Sequence, residues 1–246
     1  MRVRLINLDR SEDRLAKFTA YNGHLTDIVR FAAIDGKQAR RSALAGRGII
    51  DPALDYTDGA LGNLLSHLAL WEEAIESAAA LTLCEDDVIF NHDFERQAAG
   101  LIASMDPGWH MIFWGWNFDA FTVFELVPGL SPFLAQFDQH GMRAGIESFR
   151  SATISPRPYR LLAAFGIPCY TVSPAGAALL KRLVLPMTNH RIFVPSVNRC
   201  FANRDLSLAL LGLFPRIQVF ASFPPLIITP NDHATSTVLP HTNLGA

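Results

Sequence analysis

The chain has 246 residues, half of them hydrophobic, so it is long enough to bury a sizeable core and fits a globular protein. Its formal net charge is −2 at pH 7, its sequence pI is near 6.4, and the arginines are scattered rather than clustered. This pattern argues against the strongly basic surface that is typical of nucleic-acid binding proteins.

The cysteines and the apolar runs predict a cytoplasmic protein. Cys84, Cys169 and Cys200 are far apart, lie among apolar neighbours and form no Cys-x-x-Cys pair, which predicts buried thiols in a reducing compartment. The opening residues are too charged for a signal-peptide core, and later apolar runs are interrupted before ~20 residues. We therefore expect no membrane-spanning segment, while peripheral contact at the inner face of a membrane stays open.

The beginning of the chain predicts a strand, a helix and a second strand. Residues 3–8 form the first strand, Ser11 is placed to cap a helix that ends at residue 22, and residues 28–33 form the second strand. This order is typical of an α/β fold with a mostly parallel sheet. Ligands of such sheets bind beyond the carboxyl ends of the strands, here at residues 7–10 and 34–36.

Residues 60–80 have apolar side chains at helical spacing, which predicts a long helix. His67 lies at the border of the apolar stripe and Ser66 lies on its far side, and we expect both to be covered by something other than water. A single histidine on such a helix is more often structural than catalytic, so both roles stay open for His67.

Three consecutive acids, Glu85, Asp86 and Asp87, stand between two apolar runs. Acids at strand ends often only face solvent or cap the next helix. Three in a row are less ordinary, because side chains alternate along a strand and at least one acid must point to the covered face. Alternation also pairs Glu85 with Asp87 on one side. Crowded carboxylates repel one another, so a divalent cation is the expected partner.

The second half of the chain opens with a predicted strand at residues 109–114. Residues 115–168 then lack periodicity and are rich in aromatic residues, Gly and Pro, which is typical of a functional lid or insert. Most of these aromatic side chains are expected to form a small local core, although some could stack on sugar rings.

The remaining predicted elements follow in order: a strand at 167–172, a helix opened by Ser173 and Pro174, a helix at Leu206–Leu211 capped by Asn203 or Asp205, and a strand at 217–221. The tail after residue 230 is polar and is expected to be loosely held. Since neither an internal repeat nor a linker is visible, we expect a single domain over residues 1–246.

Taken together, these motifs resemble glycosyltransferase family 25, which includes bacterial lipopolysaccharide and lipooligosaccharide galactosyltransferases and the collagen galactosyltransferases. The resemblance rests on the order and spacing of five blocks that run over most of the chain: Ile6-Asn7-Leu8-Asp9-Arg10 with Asp13-Arg14, then Gly62 with Ser66-His67 and Trp71, then Glu85-Asp86-Asp87-Val88 with Asp93-Phe94, then Tyr170-Thr171-Val172-Ser173 with Gly176-Ala177 and Leu180, and last Asp205 with Val219-Phe220 and Pro224-Pro225-Leu226.

The resemblance implies a nucleotide-sugar transferase fold of the GT-A type, an α/β fold with a Rossmann-like, mostly parallel sheet and helices on both faces, in which residues 115–168 are an acceptor-side insert. It also implies a metal-dependent glycosyltransferase, which moves a hexose, galactose or glucose, from a UDP-sugar to lipopolysaccharide or another surface glycan. The implied partners are the nucleotide-sugar donor and a glycan or lipid-linked saccharide acceptor, with Mn²⁺ or Mg²⁺ as the cofactor.

The resemblance also assigns roles to residues. Those carried over to the donor site are Asn7, Leu8, Arg14, Asp35, Ser66 and Asp86. Asp87 is the first choice as a direct metal ligand and Glu85 the second, while Asp86 would bond the ribose or an arginine. His233 is available to complete the metal shell.

Two further residues have a catalytic assignment beside a structural one. Asp205 matches the family's downstream aspartate, which would take the proton of the acceptor hydroxyl, and its other role is a helix N-cap. His67 either lines the donor pocket or supports the acidic strand.

The chain departs from the family pattern at Asn63, where members commonly carry cysteine, and residues 115–168 have no match. Two other functions therefore stay open. A metal-dependent phosphohydrolase would need more carboxylates or histidines at other strand ends. A non-catalytic relative would bind a glycan or a protein partner through the aromatic insert.

Overall fold

The computed structural model describes residues 2–230, which form a large sheet covered by helices. The strands are β1 (Val3–Asn7), β2 (Ile28–Ala32), β3 (Leu81–Glu85), β4 (Ile89–Phe90), β5 (Met111–Gly115), β6 (Thr122–Val127), β7 (Ser131–Ala135), β8 (Arg157–Ala163), β9 (Cys169–Val172), β10 (Arg191–Val194), β11 (Arg199–Ala202), β12 (Val219–Phe223) and β13 (Ile227–Ile228). The helices are α1 (Glu12–Asn22), α2 (Arg41–Gly46), α3 (Asp58–Glu76), α4 (Phe94–Ser104), α5 (Gln139–Ala144), α6 (Ile146–Ser151), α7 (Pro174–Val184) and α8 (Leu206–Leu211), with 3₁₀ turns at Gly36–Gln38, Pro195–Val197 and Phe214–Arg216.

The main sheet has nine strands in the order β2-β1-β3-β9-β5-β12-β8-β6-β7. Strand β1 is parallel to β2 and β3, and β5 is parallel to β12. Because β9 is antiparallel to both β3 and β5, these two strands point the same way. The five strands β1, β2, β3, β5 and β12 are therefore all parallel to one another. The remaining strands, β8, β6 and β7, continue the sheet as an antiparallel meander.

The α/β fold class predicted from the sequence is confirmed, while strand direction is more mixed than expected. A buried strand is an apolar run whichever way it points, so the pattern of residues 169–172 does not reveal that β9 is reversed. The carboxyl ends of β1, β2, β3, β5 and β12 nevertheless meet at one edge, as the sequence predicted for a ligand site.

Helices cover both faces of the sheet, as expected. On one face, Leu83 of β3 and Phe113 of β5 pack in a cluster with side chains of α3, α7 and α8. On the other face, Leu5 of β1 and Trp114 of β5 pack with α1 and α4. Alternation along each strand supplies both clusters.

Residues 115–168 contain more regular structure than their sequence predicted. They include β6, β7, β8, α5 and α6, and three of these strands extend the main sheet. Trp116 and Phe118 are buried with ring centroids 5.2 Å apart, but they belong to the main core cluster with Leu83 and Phe113 and not to the separate local core that was expected. The acceptor-side role of this segment and the single-domain organisation stay predictions.

The cysteines differ from the prediction at one position. Cys84 and Cys169 are buried free thiols, whereas Cys200 is exposed, so the expectation of three buried thiols is wrong for Cys200. This residue lies on β11, which pairs only with β10 in a separate two-stranded ribbon. Within residues 2–230, none of the helices has the length and apolar character needed to cross a membrane.

Two glycines bring α3 against the loop that follows β2. A Cβ atom added at Gly62 would lie 2.5 Å from the carbonyl oxygen of Ile34 and 2.8 Å from the amide nitrogen of Gly36. A Cβ atom at Gly36 would lie 1.9 Å from the carbonyl oxygen of Asp58. These backbones can touch only because neither residue has a side chain, and the contact fixes residues 34–36 beside the helix.

We expect Gly62→Ala to destabilise the fold by about 1–3 kcal/mol, because the added methyl group must push two backbone segments apart. Gly100→Ala is the matched control, since Gly100 is also helical but a Cβ atom there meets nothing within 4 Å. Urea unfolding should show the control to be as stable as the wild type or about 0.5–1 kcal/mol more stable. Equal stability of Gly62→Ala and the wild type would contradict the close contact.

Candidate functional site

A cleft of about 210 Å³ lies at the carboxyl ends of β1 and β3. Eight residues predicted from the sequence line it: Leu8, Arg14, Asp35, Ser66, Glu85, Asp86, Asp87 and Asp205. Asn7 and His67 lie buried and are not among the lining residues. His233 lies outside the described residues. The fold therefore brings most of the predicted residues together, while their roles stay predictions.

The acid triplet stands where β3 leaves the sheet. Strand β3 ends at Glu85, and Asp86 and Asp87 form a turn, so strand alternation does not extend to Asp87 as the sequence argument assumed. Glu85 faces α3, where the side-chain amide of Asn63 donates to Oε1 at 2.9 Å. Asp86 faces α1 and pairs with Arg14. The turn thus sends adjacent carboxylates to opposite helices.

Asp86 has a partner for each of its oxygens. Oδ1 pairs with the Arg14 guanidinium, and Oδ2 accepts a 2.7 Å hydrogen bond from the amide of Asn7. Asn7 in turn accepts from Arg30 at 3.0 Å through its own oxygen. Asn7 therefore supports Asp86 from below the cleft, and Asp86 bonds an arginine, one of the two roles considered for it.

Asp87 is the carboxylate with the least compensation. Its Oδ2 lies 3.8 Å from Arg14, and its Oδ1 is buried without a hydrogen-bond partner. Burial, together with the negative charge of Glu85, raises the pKa of Asp87 to about 7. Burial also disfavours the charge of Glu85, but the facing His67 ring and the Asn63 amide outweigh it and lower the pKa of Glu85. The triplet therefore carries more negative charge than Arg14 neutralises.

The carboxylates fit a cation that is shared with a phosphate ligand better than a cation that is held by side chains alone. Among residues 2–230, no group of three or more His, Cys, Asp or Glu side chains could hold a metal ion. An ion on a phosphate ligand needs less, because Mg²⁺ is usually held by one or two carboxylates together with substrate phosphates and water. Asp87, with its unpartnered Oδ1, and Glu85 fit that smaller role.

Asp35 lines the cleft from the loop after β2. Its Oδ1 accepts from the backbone amide of Lys37 at 3.1 Å, and its Oδ2 pairs with Arg10. The Lys37 amide and the Arg10 guanidinium hold the pKa of Asp35 below its ordinary value. An ionised carboxylate beside a half-exposed arginine thus lines the same cleft as the triplet.

Ser66 joins the same loop to α3. Its hydroxyl accepts from the amide of Ile34 at 2.9 Å and donates to the carbonyl of Gly62 at 2.8 Å. The hydroxyl proton is therefore used inside the protein, although Ser66 lines the cleft. The prediction that Ser66 is covered is confirmed, since it is almost fully buried.

His67 lies behind Glu85 in a buried chain of hydrogen bonds. The indole of Trp71 donates to the hydroxyl of Tyr170 at 2.8 Å, and that hydroxyl lies 2.7 Å from Nδ1 of His67. Because an indole only donates, the Tyr170 proton is directed to Nδ1, and Nε2 carries the ring proton. Nε2 lies 3.9 Å from Oε1 of Glu85. His67 thus lies beside the acidic strand, but its Nε2 is buried without a hydrogen-bond partner among the described residues, so both of its predicted roles stay predictions.

Asp205 has the structural one of its two predicted roles. Its Oδ1 accepts from the backbone amide of Leu208 at 3.0 Å and from the Ser207 hydroxyl at 2.6 Å, so it is the N-cap of α8. The same side chain lines the cleft, and its catalytic role stays a prediction. Burial, with Glu85 adding to it, raises the pKa of Asp205 above its ordinary value.

Several cleft residues were not assigned from the sequence. The main ones are Asn63, Asn117, Gly166 and Ser207, whereas Arg10 lies within residues 7–10, where the sequence predicted ligand binding. Asn63 precedes His67 by one helical turn, so helical spacing could have indicated it. Asn117 and Gly166 lie near the two ends of the segment 115–168, which lacks periodicity. The backbone amide of Asn117 donates to the carbonyl of Phe165 at 2.7 Å and so joins these two ends.

Comparisons with known proteins point to one family. Residues 1–125 match the family described as glycosyltransferase family 25 (LPS biosynthesis protein). A glycosyltransferase 25 family member of Anopheles gambiae is 31% identical over 125 residues, which cover 46% of this chain and 21% of that protein. Procollagen galactosyltransferase 2 of Mus musculus is 33% identical over 125 residues, covering 45% of this chain and 20% of that protein.

A further curated relative and one solved structure are also similar to this chain. Inactive glycosyltransferase 25 family member 3 of Homo sapiens is 30% identical over 149 residues, which cover 52% of this chain and 24% of that protein. The crystal structure of A197 from STIV aligns with 98% of this chain and 100% of its own at 11% identity and a TM-score of 0.30, too low to support a conclusion. The matches thus span about a fifth to a quarter of the curated relatives.

The raised pKa of Asp87 predicts a pH-dependent stability. In the folded protein this carboxyl has a pKa of about 7, against an ordinary value of 3.8 in the unfolded chain. Between these values the folded state binds more protons, so the free energy of unfolding falls as pH rises through this window and levels off above it. Because 39% of the Asp87 side chain is exposed, solvent screening keeps the effect modest.

We therefore expect Asp87→Asn to melt about 2–4 °C above the wild type at pH 8 in the presence of a chelator, with the difference closing toward pH 4. Asp106→Asn is the control, because Asp106 is exposed and outside the cleft. Its melting temperature should match the wild type at both pH values. A difference for Asp87→Asn that grows toward low pH would contradict the assignment.

The Tyr170 hydroxyl is expected to fix the His67 tautomer. Nitrogen-15 NMR of the wild-type imidazole should show the proton on Nε2. Tyr170→Phe leaves the Trp71 indole and His67 Nδ1 without their shared partner, so we expect a loss of about 1–3 kcal/mol in unfolding free energy and a mixture of tautomers. Tyr159→Phe is the control, since Tyr159 is only partly buried. An Nδ1-protonated ring in the wild type would disprove the arrangement.

Proposed function

Because the chain belongs to glycosyltransferase family 25, we propose that it is a metal-dependent hexosyltransferase that uses a UDP-sugar. The observation that carries the proposal is the acid triplet beside Arg14 in a cleft at the carboxyl ends of the strands. Galactose is favoured over glucose as the transferred sugar because two relatives are named procollagen galactosyltransferase 2. Lipopolysaccharide or another surface glycan is the proposed acceptor, in line with the family description.

In this proposal the donor lies between the loop after β2 and the acid triplet. Arg10 and Arg14 both line the cleft and would face the diphosphate. Arg14 is already held by Asp86, so its position does not depend on the donor. Asp35 would remain ionised through its bonds to Lys37 and Arg10 and would accept hydrogen bonds from the nucleoside. Leu8 would contribute apolar contact at the same wall.

Asp87 and Glu85 would hold the divalent cation on the donor diphosphate. Asp87 is the first choice because its Oδ1 is buried and has no hydrogen-bond partner. Glu85 is second, since Oε1 already accepts from Asn63. A bound Mn²⁺ or Mg²⁺ would offset, as a Lewis acid, the negative charge that collects on the diphosphate leaving group.

Asp205 is the proposed base for the acceptor hydroxyl. Its raised pKa brings its basicity nearer to neutral pH, where a carboxylate accepts a proton more effectively. Its hydrogen bonds to Leu208 and Ser207 fix the carboxylate while it faces the cleft. Asn117 and Gly166 line the same cleft from the 115–168 segment, which supports an acceptor-side role for that insert. A cytoplasmic location remains part of the proposal.

A non-catalytic binding protein is the second candidate function. It is favoured by one observation, the similarity to a human relative whose name calls it inactive. Both candidates can bind a nucleotide sugar, but only the transferase forms a glycosylated product. Incubation with UDP-galactose or UDP-glucose and a pool of saccharide acceptors, followed by mass spectrometry, separates them. A mass gain of one hexose supports the transferase, and bound but unconsumed donor supports the second candidate.

Metal-enhanced binding of UDP is the expected signature of the donor site. Calorimetry with and without Mn²⁺ should show tighter binding with the metal, and Asp87→Ala should remove most of that enhancement because it deletes the unpartnered carboxylate oxygen. Asp106→Ala, which removes an exposed acid outside the cleft, should retain it. UDP binding that is absent, or equally strong without the metal in the wild type, would contradict the proposal.

A further inference from the structure

An exposed apolar hairpin stands at the edge of the main sheet, on β6 and β7. Five large hydrophobic side chains between residues 126 and 134 are solvent-exposed: Leu126, Val127, Leu130, Phe133 and Leu134. Leu130 at the turn is 76% exposed. Strand β7 is also the last strand of the sheet, so nothing in the described chain pairs with its outer edge. Apolar clusters of this kind usually mark an interaction surface.

The apolar surface continues onto the separate β10–β11 ribbon. Pro132 of β7 and Phe193 of β10 line one shared cavity, so the hairpin and the ribbon are neighbours. Phe193 is 55% exposed. Along β10 the exposed residues Arg191 and Phe193 alternate with buried ones, so both point outward from the same face. An arginine therefore stands beside the apolar surface on its outer side.

The charge of this part of the chain has one sign. Residues 148–204 contain eight Lys and Arg residues and no Asp or Glu. Arg191, Arg199 and Arg204 are exposed and form no ion pair with the described residues. The acid of the hairpin is Glu125, and its carboxylate accepts a 2.8 Å hydrogen bond from the backbone amide of Gly129 within the turn. The overall charge of −2 conceals this basic region, because 21 of the 23 acids lie in residues 1–147.

We propose that the β6–β7 hairpin and the outer face of the β10–β11 ribbon dock on an anionic lipid surface. Leu130 at the hairpin turn and Phe193 would enter the boundary between headgroups and acyl chains, while Arg191, which shares the outer face of the ribbon with Phe193, contacts the negative headgroups. A second copy of this chain is disfavoured, because edge-to-edge pairing of β7 would bring together two sets of unpaired arginines. The inference does not rest on transferase activity.

The position of the hairpin relative to the cleft suits an acceptor that extends from a membrane. Strand β6 begins beside β8 at the pair Val123 and Ala163, close to Gly166 in the cleft, and runs away from it to the hairpin turn. Six residues of strand span roughly 20 Å. A docked hairpin would therefore hold the cleft above the lipid surface, at the level of a saccharide chain rather than of the acyl chains.

Vesicle flotation tests the proposal with the full chain. We expect binding to vesicles of phosphatidylcholine and phosphatidylglycerol, weakening with salt, and little binding to phosphatidylcholine alone. Arg191→Gln should lower the partition coefficient about fivefold, whereas Arg199→Gln should lower it less, because Arg199 pairs with Val194 on the other face of the ribbon. Leu130→Glu should abolish binding, and because Leu130 is 76% exposed the variant should melt like the wild type.

The control is Val29→Glu, which places the same charge on an exposed apolar residue of β2, at the opposite edge of the sheet. It should retain vesicle binding. Failure of the wild type to float with anionic vesicles overturns the proposal, as does equal loss in Val29→Glu and Leu130→Glu. A concentration-dependent dimer that Leu130→Glu dissociates, without vesicle binding, would assign the surface to a second copy instead. None of these outcomes depends on sugar transfer, so they are independent of the proposed activity.

Discussion

The mutual repulsion of the three carboxylates at the end of β3 is the constraint on which the rest of the site depends. They follow one another where the strand leaves a buried sheet, and their mutual repulsion must be reduced by separation, by hydrogen bonds or by a cation. The turn after Glu85 separates them by directing Glu85 to α3 and Asp86 to α1. Asp87 obtains the least compensation, since Arg14 is 3.8 Å away and one oxygen has no partner. The site is therefore arranged to gain from a positively charged ligand.

Helix α3 supplies several of the residues around the carboxylates, and these residues also hold the fold together. Gly62 lets the helix touch the loop after β2, and Ser66 fastens that loop by hydrogen bonds to two backbone groups. His67 presents Nε2 to Glu85 because Tyr170 occupies Nδ1. Side chains of one helix thus hold the loop after β2 and contact Glu85 at the same time.

The charged residues divide the sequence into an acidic part and a basic part. Acids are concentrated in the first 147 residues, where they include the triplet and Asp35 in the cleft. The following segment is basic and adjoins the exposed apolar hairpin. Because the two parts nearly cancel in the overall charge of −2, composition alone conceals them. A polar cleft and an apolar, basic surface are compatible with a small-molecule donor at one place and an extended partner at another.

The sequence by itself determined many of the elements and eight of the residues that line the cleft. The spacing of apolar residues predicted α3, the Ser173 and Asp205 caps predicted α7 and α8, and the order of motifs predicted that Asp35, Arg14 and the triplet meet at one edge. These features are local, because a cap or an apolar helical stripe depends only on residues that are close together in the sequence. Where strand ends meet then follows from the α/β pattern itself.

Only the tertiary structure decided the reversal of β9, the strands within residues 115–168, and the partner of each acid. Strand direction and pairing depend on contacts between distant residues, and a buried run looks the same in either direction. The orientation of Asp87 likewise depends on a turn, because β3 ends at Glu85, two residues before Asp87, to which the alternation argument had extended the strand. The sequence therefore determined some of the groups that enter the cleft, and the long-range packing decided the others and which of them remain uncompensated there.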